Sequence, residues 1–128
     1  MRIFLILITS IILFISCSKK GEEFTKKRST QEEAISIYKE GLQNMKDADY
    51  FYASKKFSEA EALMPQTDWA AKSSLMSSYC LYAINFYDEA ILNLERFIQI
   101  YPASEHVPYA HYLIAISYYE QILDEDKD

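Results

Sequence analysis

The sequence predicts an all-α fold, a solenoid of helix–turn–helix repeats, and three observations carry that reading. Apolar residues recur at three- and four-residue intervals from Ala34 onward, the period of helices with one buried face. No stretch of clean period-two alternation competes, and only two Gly and three Pro in 128 residues leave little turn chemistry for an all-β chain. The sequence also overlays itself when shifted by 37 residues, a spacing typical of stacked repeats. Half the residues are hydrophobic and a quarter are charged, a globular composition rather than a disordered one.

The first segment reads as an address. Met1 and Arg2 supply positive charge, and Ile3 to Ile15 is almost wholly apolar. That run is shorter than the roughly 20 residues a bilayer-spanning helix needs, and it matches the charged and apolar regions of a secretory signal. It ends Leu13-Phe14-Ile15-Ser16-Cys17, with a small residue directly before the Cys, and so resembles a bacterial lipobox. The resemblance implies that residues 1–16 are a signal peptide and that Cys17 carries a covalent lipid, diacylglycerol plus an acyl chain such as palmitate. Several chains hold a protein stably, since each buried methylene contributes about 0.8 kcal/mol. By the same resemblance, Ser18 suits sorting to the outer membrane, with the protein facing the periplasm.

Residues 17–30 then read as the lipidated Cys and a flexible tether. The stretch SKKGEEFTKKRST is polar, mixed in charge and without apolar period, and such a coil spans roughly 20 Å. Lys26-Lys27-Arg28 reads as solvated tether, with contact to anionic lipid as the sharper alternative.

The repeat domain is expected over 31–128. Thr30-Gln31-Glu32-Glu33 has the spacing of a capping box and announces the first helix, carrying Ala34, Ile37, Tyr38, Gly41, Leu42 and Met45. Asp47-Ala48-Asp49 breaks it. Tyr50, Ala53, Phe57, Ala60 and Leu63 or Met64 mark a second helix, stopped by Pro65. Thr67 or Asp68 caps a third, with Trp69, Leu75, Tyr79 and Tyr82. The fourth runs from about Tyr87 to Tyr101 and stops at Pro102, and Pro108 suits the first turn of a fifth, through Tyr112, Ala115 and Tyr119. With its partner Cys lipidated, Cys80 is left as a free thiol between Tyr79 and Leu81, a core position.

Under the 37-residue shift Tyr50 falls on Tyr87, Ala53 on Ala90, Phe57 on Leu94, Ala60 on Phe97 and Pro65 on Pro102. Gly41 falls on Ser78 and then on Ala115, a small residue each time, while Leu42 falls on Tyr79 and Ile116, and Met45 on Tyr82 and Tyr119. The order of small residue, Tyr, Ala, large apolar residue and Pro resembles the tetratricopeptide repeat. Small residues let paired helices approach closely, and each unit has an apolar face that only a neighbour can bury. About two and a half units fit the chain. The second helix of a third unit would place Ala near position 127, where Lys127 stands, so the sequence is expected to be the N-terminal part of a longer protein.

In that repeat the first helix of each pair lines the concave surface. Its outward positions are Ile35, Tyr38, Leu42 and Met45, then Lys72, Leu75, Tyr79 and Tyr82, then Tyr109, Tyr112, Ile116 and Tyr119. Half of them are Tyr, a large apolar face with a polar tip, suited to a wet recognition surface. Tyr38, Leu42, Lys72, Tyr79, Tyr82, Tyr109, Tyr112 and Tyr119 are therefore candidates for a peptide-binding groove, with Lys72 placed for a carboxylate. For any one of these Tyr, packing between repeats is the competing reading. Trp69, early in its helix beside a turn, reads as packing.

Catalytic and metal chemistry find no constellation. H-E-x-x-H and G-x-S-x-G are absent, and Gly21 and Gly41 stand apart from any phosphate loop. His106 and His111 miss the four-residue spacing that lets two ligands share a helical face. The net charge of −6 argues against a nucleic-acid surface. Glu120, Asp124, Glu125 and Asp126, with Lys127, read as a solvated helix end, with a docking patch for a basic partner as the alternative.

Three stretches together carry a more specific likeness: YKEGLQNMKDADYFYASKKFSEAE (38–61), WAAKSSLMSSYCLYAINFYDEAILNLERFIQIYP (69–102) and VPYAHYLIAISYYEQILDEDKD (107–128). They resemble the BamD family of YfiO-like outer-membrane lipoproteins, over essentially the whole chain after Ala34. The resemblance implies a non-enzymatic subunit without cofactors, lipid-anchored at the outer membrane. It would act beside a BamA-like barrel insertase and accessory lipoproteins on unfolded outer-membrane β-barrel proteins. Substrate would meet the N-terminal repeats, and the insertase the C-terminal ones. The alternative is another lipid-anchored periplasmic repeat adaptor, pilotin-like or Tol-associated; the latter often begins with a coiled coil, and no sustained heptad precedes Thr30.

Overall fold

The apolar periodicity resolves into five helices. The computed structural model describes residues 20–125, with side chains between Thr30 and Leu123. The helices are α1 (Lys20–Lys46), α2 (Tyr50–Leu63), α3 (Asp68–Ala83), α4 (Tyr87–Ile100) and α5 (Val107–Glu125). Each packs chiefly on its neighbours in the chain, and α3 also touches α5, the pattern of a stack. Among the described residues none is in a strand, and no helix is long and apolar enough to cross a membrane. The signal-peptide reading of 1–16 and the lipid on Cys17 lie outside the described residues.

One boundary differs from expectation. A flexible tether was expected up to residue 30, with Thr30 as the cap of the first helix, but α1 already begins at Lys20. The segment holds no Pro and is rich in Lys, Glu and Arg, residues that lose little on entering a helix. The single Gly21 does not interrupt it, and the capping-box spacing at Thr30 lies inside a helix.

The other ends follow local chemistry. Asp49 caps α2, its carboxylate accepting from the Tyr52 N–H at 3.3 Å, and Thr67 caps α3, its hydroxyl accepting from the Ala70 N–H at 3.1 Å. The ends of α1 and α3 are closed alike. Asp49 N–H donates to the Asn44 carbonyl and Ala48 N–H to Met45, while Phe86 N–H donates to Leu81 and Asn85 N–H to Tyr82. Both are Schellman closures, with Ala48 (φ 60°) and Asn85 (φ 63°) in the left-handed conformation the motif requires.

Two apolar clusters form the core. Ile37, Tyr38, Ala53, Phe57, Ala60 and Cys80 make the first; Ala71, Leu75, Leu94, Phe97, Ala110 and Leu113 make the second. Tyr79 packs against both and bridges them. The repeat-equivalent pairs Ala53/Ala90 and Phe57/Leu94 are all fully buried. Gly41 explains the close approach of α1 and α2: a Cβ there would lie 2.9 Å from Cε1 of Phe57. Ser78, its repeat equivalent, is fully buried and donates to the Ser74 carbonyl at 3.0 Å, whereas Ala115, the third small position, is exposed.

Polar bonds cross between repeats. Ser77 donates to the Ser54 carbonyl at 3.0 Å and shares a 2.8 Å hydrogen bond with Ser58, fixing α3 on α2. Arg96 on α4 forks onto Glu61 on α2, Nη1 to Oε1 at 3.0 Å and Nη2 to Oε2 at 2.8 Å, while Nη2 also donates to Ser74 at 3.2 Å. The Tyr101 hydroxyl donates to the same Glu61 at 3.2 Å.

Candidate functional site

The predicted groove residues divide into three groups. Tyr38 is a correction: it is only 6% exposed, its ring edge-on to Phe57 at 5.1 Å and to Trp69 at 5.5 Å. Tyr38 belongs to the first core cluster with Ile37, Ala53 and Phe57, and its phenol is pushed up by burial. Leu42 is half-buried against the same cluster.

Tyr79, Tyr82, Tyr109 and Tyr112 come together on α3 and α5. Tyr79 and Tyr82 have ring centroids 6.5 Å apart, and Tyr109 and Tyr112 stack at 6.1 Å with 24° between planes. The pairs lie near enough for their phenols to influence one another. Burial raises the Tyr109 phenol, and the nearby phenols of Tyr79, Tyr112 and Tyr82 raise it further. Burial also raises the Tyr82 phenol, followed by the Glu120 carboxylate and the Tyr112 and Tyr79 phenols. Tyr82 touches Tyr87 of α4 as well, at 5.9 Å. Tyr109 (43% exposed) and Tyr112 (57%) turn much of their rings to solvent, so the patch is an aromatic surface on a packed base.

The remaining candidates lie apart. Lys72 is exposed near the start of α3, its Nζ 6.0 Å from the Trp69 ring centroid. Tyr119 is exposed and joins no ring pair among the described residues. Trp69 packs on Tyr38 as its sequence position suggests, but keeps 42% of its surface open.

Sequence reasoning missed two features. Glu61 lies in the repeat position that Ile98 occupies one unit later, and a charge at a half-buried apolar position was the available signal for the Glu61–Arg96 clamp. Glu120 read as part of a solvated acidic end, yet it is half-buried and its carboxylate helps raise the Tyr82 phenol. The side chains of Asp124, Glu125, Asp126 and Lys127 lie outside the described residues. Cys80 is fully buried and free, and burial pushes its thiol up to about 12. No group of three or more His, Cys, Asp or Glu able to hold a metal occurs among the described residues.

The stacked helical pairs, with an aromatic face on α3 and α5, define an all-α repeat protein. Residues 30–128 match the model of the YfiO family, described as outer membrane lipoprotein, and the chain belongs to that family. It is similar to the outer membrane protein assembly factor BamD of Caulobacter vibrioides, 38% identical over 92 residues, which cover 72% of this chain and 30% of the relative. The BamD of Rickettsia prowazekii is 33% identical over 92 residues, covering 72% of this chain and 37% of the relative. That of Xylella fastidiosa (strain Temecula1) is 25% identical over 113 residues, covering 88% and 37%. The chain thus spans about a third of the length of these relatives. No solved structure matches it significantly.

Proposed function

We propose that this chain serves, without catalysis, in the assembly of outer-membrane β-barrel proteins, holding extended segments of unfolded substrate on the aromatic face of α3 and α5. The observation that carries the reading is the union of Tyr79, Tyr82, Tyr109 and Tyr112 into one half-open patch, in a chain of the YfiO family. Aromatic rings spaced along a stack take alternate side chains of an extended strand and exclude water from its face. Lys72, farther along α3, is the cation for a terminal carboxylate. A lipid on Cys17 tethers the protein to the periplasmic side of the outer membrane, and a BamA-like insertase with accessory lipoproteins receives the substrate.

The test is fluorescence anisotropy with a labelled peptide of alternating aromatics ending in Phe, against a scrambled control. Tyr79 supports both core clusters, so the informative variants are Tyr112→Ala and Lys72→Gln, with helix content checked by circular dichroism. Selective binding is expected to weaken about five- to tenfold on loss of the Tyr112 ring, the range of one aromatic contact. Equal affinity for the scrambled peptide sinks the groove reading.

A further inference from the structure

The aromatic patch has an acidic edge that its peptide-holding role does not use. The Glu120 carboxylate is near enough to raise the Tyr82 phenol, and the next residue brings this stretch of α5 to α4: Gln121 Nε2 donates to Asp88 Oδ1 at 2.6 Å, in the first turn of α4. Tyr87, also in that turn, places its ring 5.9 Å from Tyr82. Glu120 makes no ion pair among the described residues, whose ion pairs join Lys56 to Glu40 and Glu59, Arg96 to Glu61, and His106 to Glu105. The candidate cation of the groove, Lys72, lies apart from the patch, over Trp69 near the start of α3. Tyrosine faces carry negative quadrupole charge, and a carboxylate beside them adds a full one.

We infer that Tyr79, Tyr82, Tyr112 and Glu120 form a subsite for a guanidinium group on the bound segment, an Arg side chain that stacks on the rings and forks onto the carboxylate. The inference rests on the peptide-groove reading and deepens it by naming a charge and a register. A planar guanidinium matches both surfaces, whereas an ammonium makes only a point contact. From Lys72 to Tyr82 α3 rises about 15 Å. An extended strand covers that in four to five residues. A segment whose terminal carboxylate meets Lys72 therefore presents its Arg four to five residues upstream.

The full chain, purified in detergent, would be titrated with three aromatic-rich peptides identical except at that upstream position, which carries Arg, Lys or the neutral isostere citrulline. The Arg peptide is expected to bind about five- to tenfold tighter than the citrulline peptide, with Lys between them. Glu120→Gln is expected to erase the difference, bringing the Arg and citrulline peptides to the same affinity, with helix content checked by circular dichroism. Equal binding of all three overturns the subsite and leaves the groove standing. An Arg preference that survives Glu120→Gln assigns it to the −6 net charge of the chain and overturns the subsite as well. Failure of every peptide to bind removes both readings.

Discussion

Single residues set how closely the helices meet. At Gly41 an added methyl would press on Phe57, whose ring is fully buried and cannot retreat. Gly41→Ala gains about 1 kcal/mol of helix propensity but incurs overpacking of about 1–3 kcal/mol, so a net loss of stability is expected in urea unfolding. The Glu61 side chain is 11% exposed and its partner Arg96 44%, so the pair is screened on one side. Arg96→Met strands the carboxylate and is expected to cost about 1–3 kcal/mol, and Tyr101→Phe about 1 kcal/mol, by the same assay. Cys80, with its thiol pushed up to about 12, should resist aromatic disulfide reagents until the chain unfolds. The folded state holds that proton more tightly than the unfolded chain. The stability this provides is full below the ordinary value of 9.0 and is lost as pH rises from there through about 12. Tyr38, Tyr82, Tyr101 and Tyr109, all raised from 10.0, act in the same direction. Denaturation midpoints at rising alkaline pH check the sign. Cys80 was readable as core because its neighbours are apolar. The Glu61 clamp was not, because its partners lie 35 and 40 residues away and only the folded stack brings them together.

Helix starts and stops were legible wherever one residue carries the signal. Thr67 caps α3 through its hydroxyl, and Pro65 and Pro102 follow the ends of α2 and α4 within two residues. The start of α1 was not legible, since a run of charged helix formers has no apolar period to announce it and Thr30 offered a false start. At the closures of α1 and α3 the repeat reappears in the backbone, with Ala48 and Asn85 left-handed one 37-residue period apart. Ala carries a Cβ penalty in that conformation that Gly avoids. Ala48→Gly is therefore expected to stabilise the chain by about 0.5–1 kcal/mol, a rise in denaturation midpoint without change of slope.

For the whole molecule, the period of 37 named the architecture and the second helix of each pair, because Ala53/Ala90 and Phe57/Leu94 face the core in both units. It did not separate groove from core among the first-helix positions, as Tyr38 and Tyr79 are equally amphipathic in sequence. Only the folded stack, which sets Phe57 and Trp69 edge-on to Tyr38, sends one inward. In a stack each unit is held by its neighbours, and α5, with Ile122 and Tyr119 near 60% exposed, has partners on one side among the described residues. Its amides are expected to exchange hydrogen fastest and those of α3 slowest in native-state exchange. Tyr79, wedged between the two clusters, gives this arrangement a thermodynamic reciprocity. A ligand gripping that ring stiffens both cores together, so occupancy of the surface and melting of the stack become linked quantities. Saturating peptide should raise the melting temperature of both units in step, by the amount that mass action sets for its affinity.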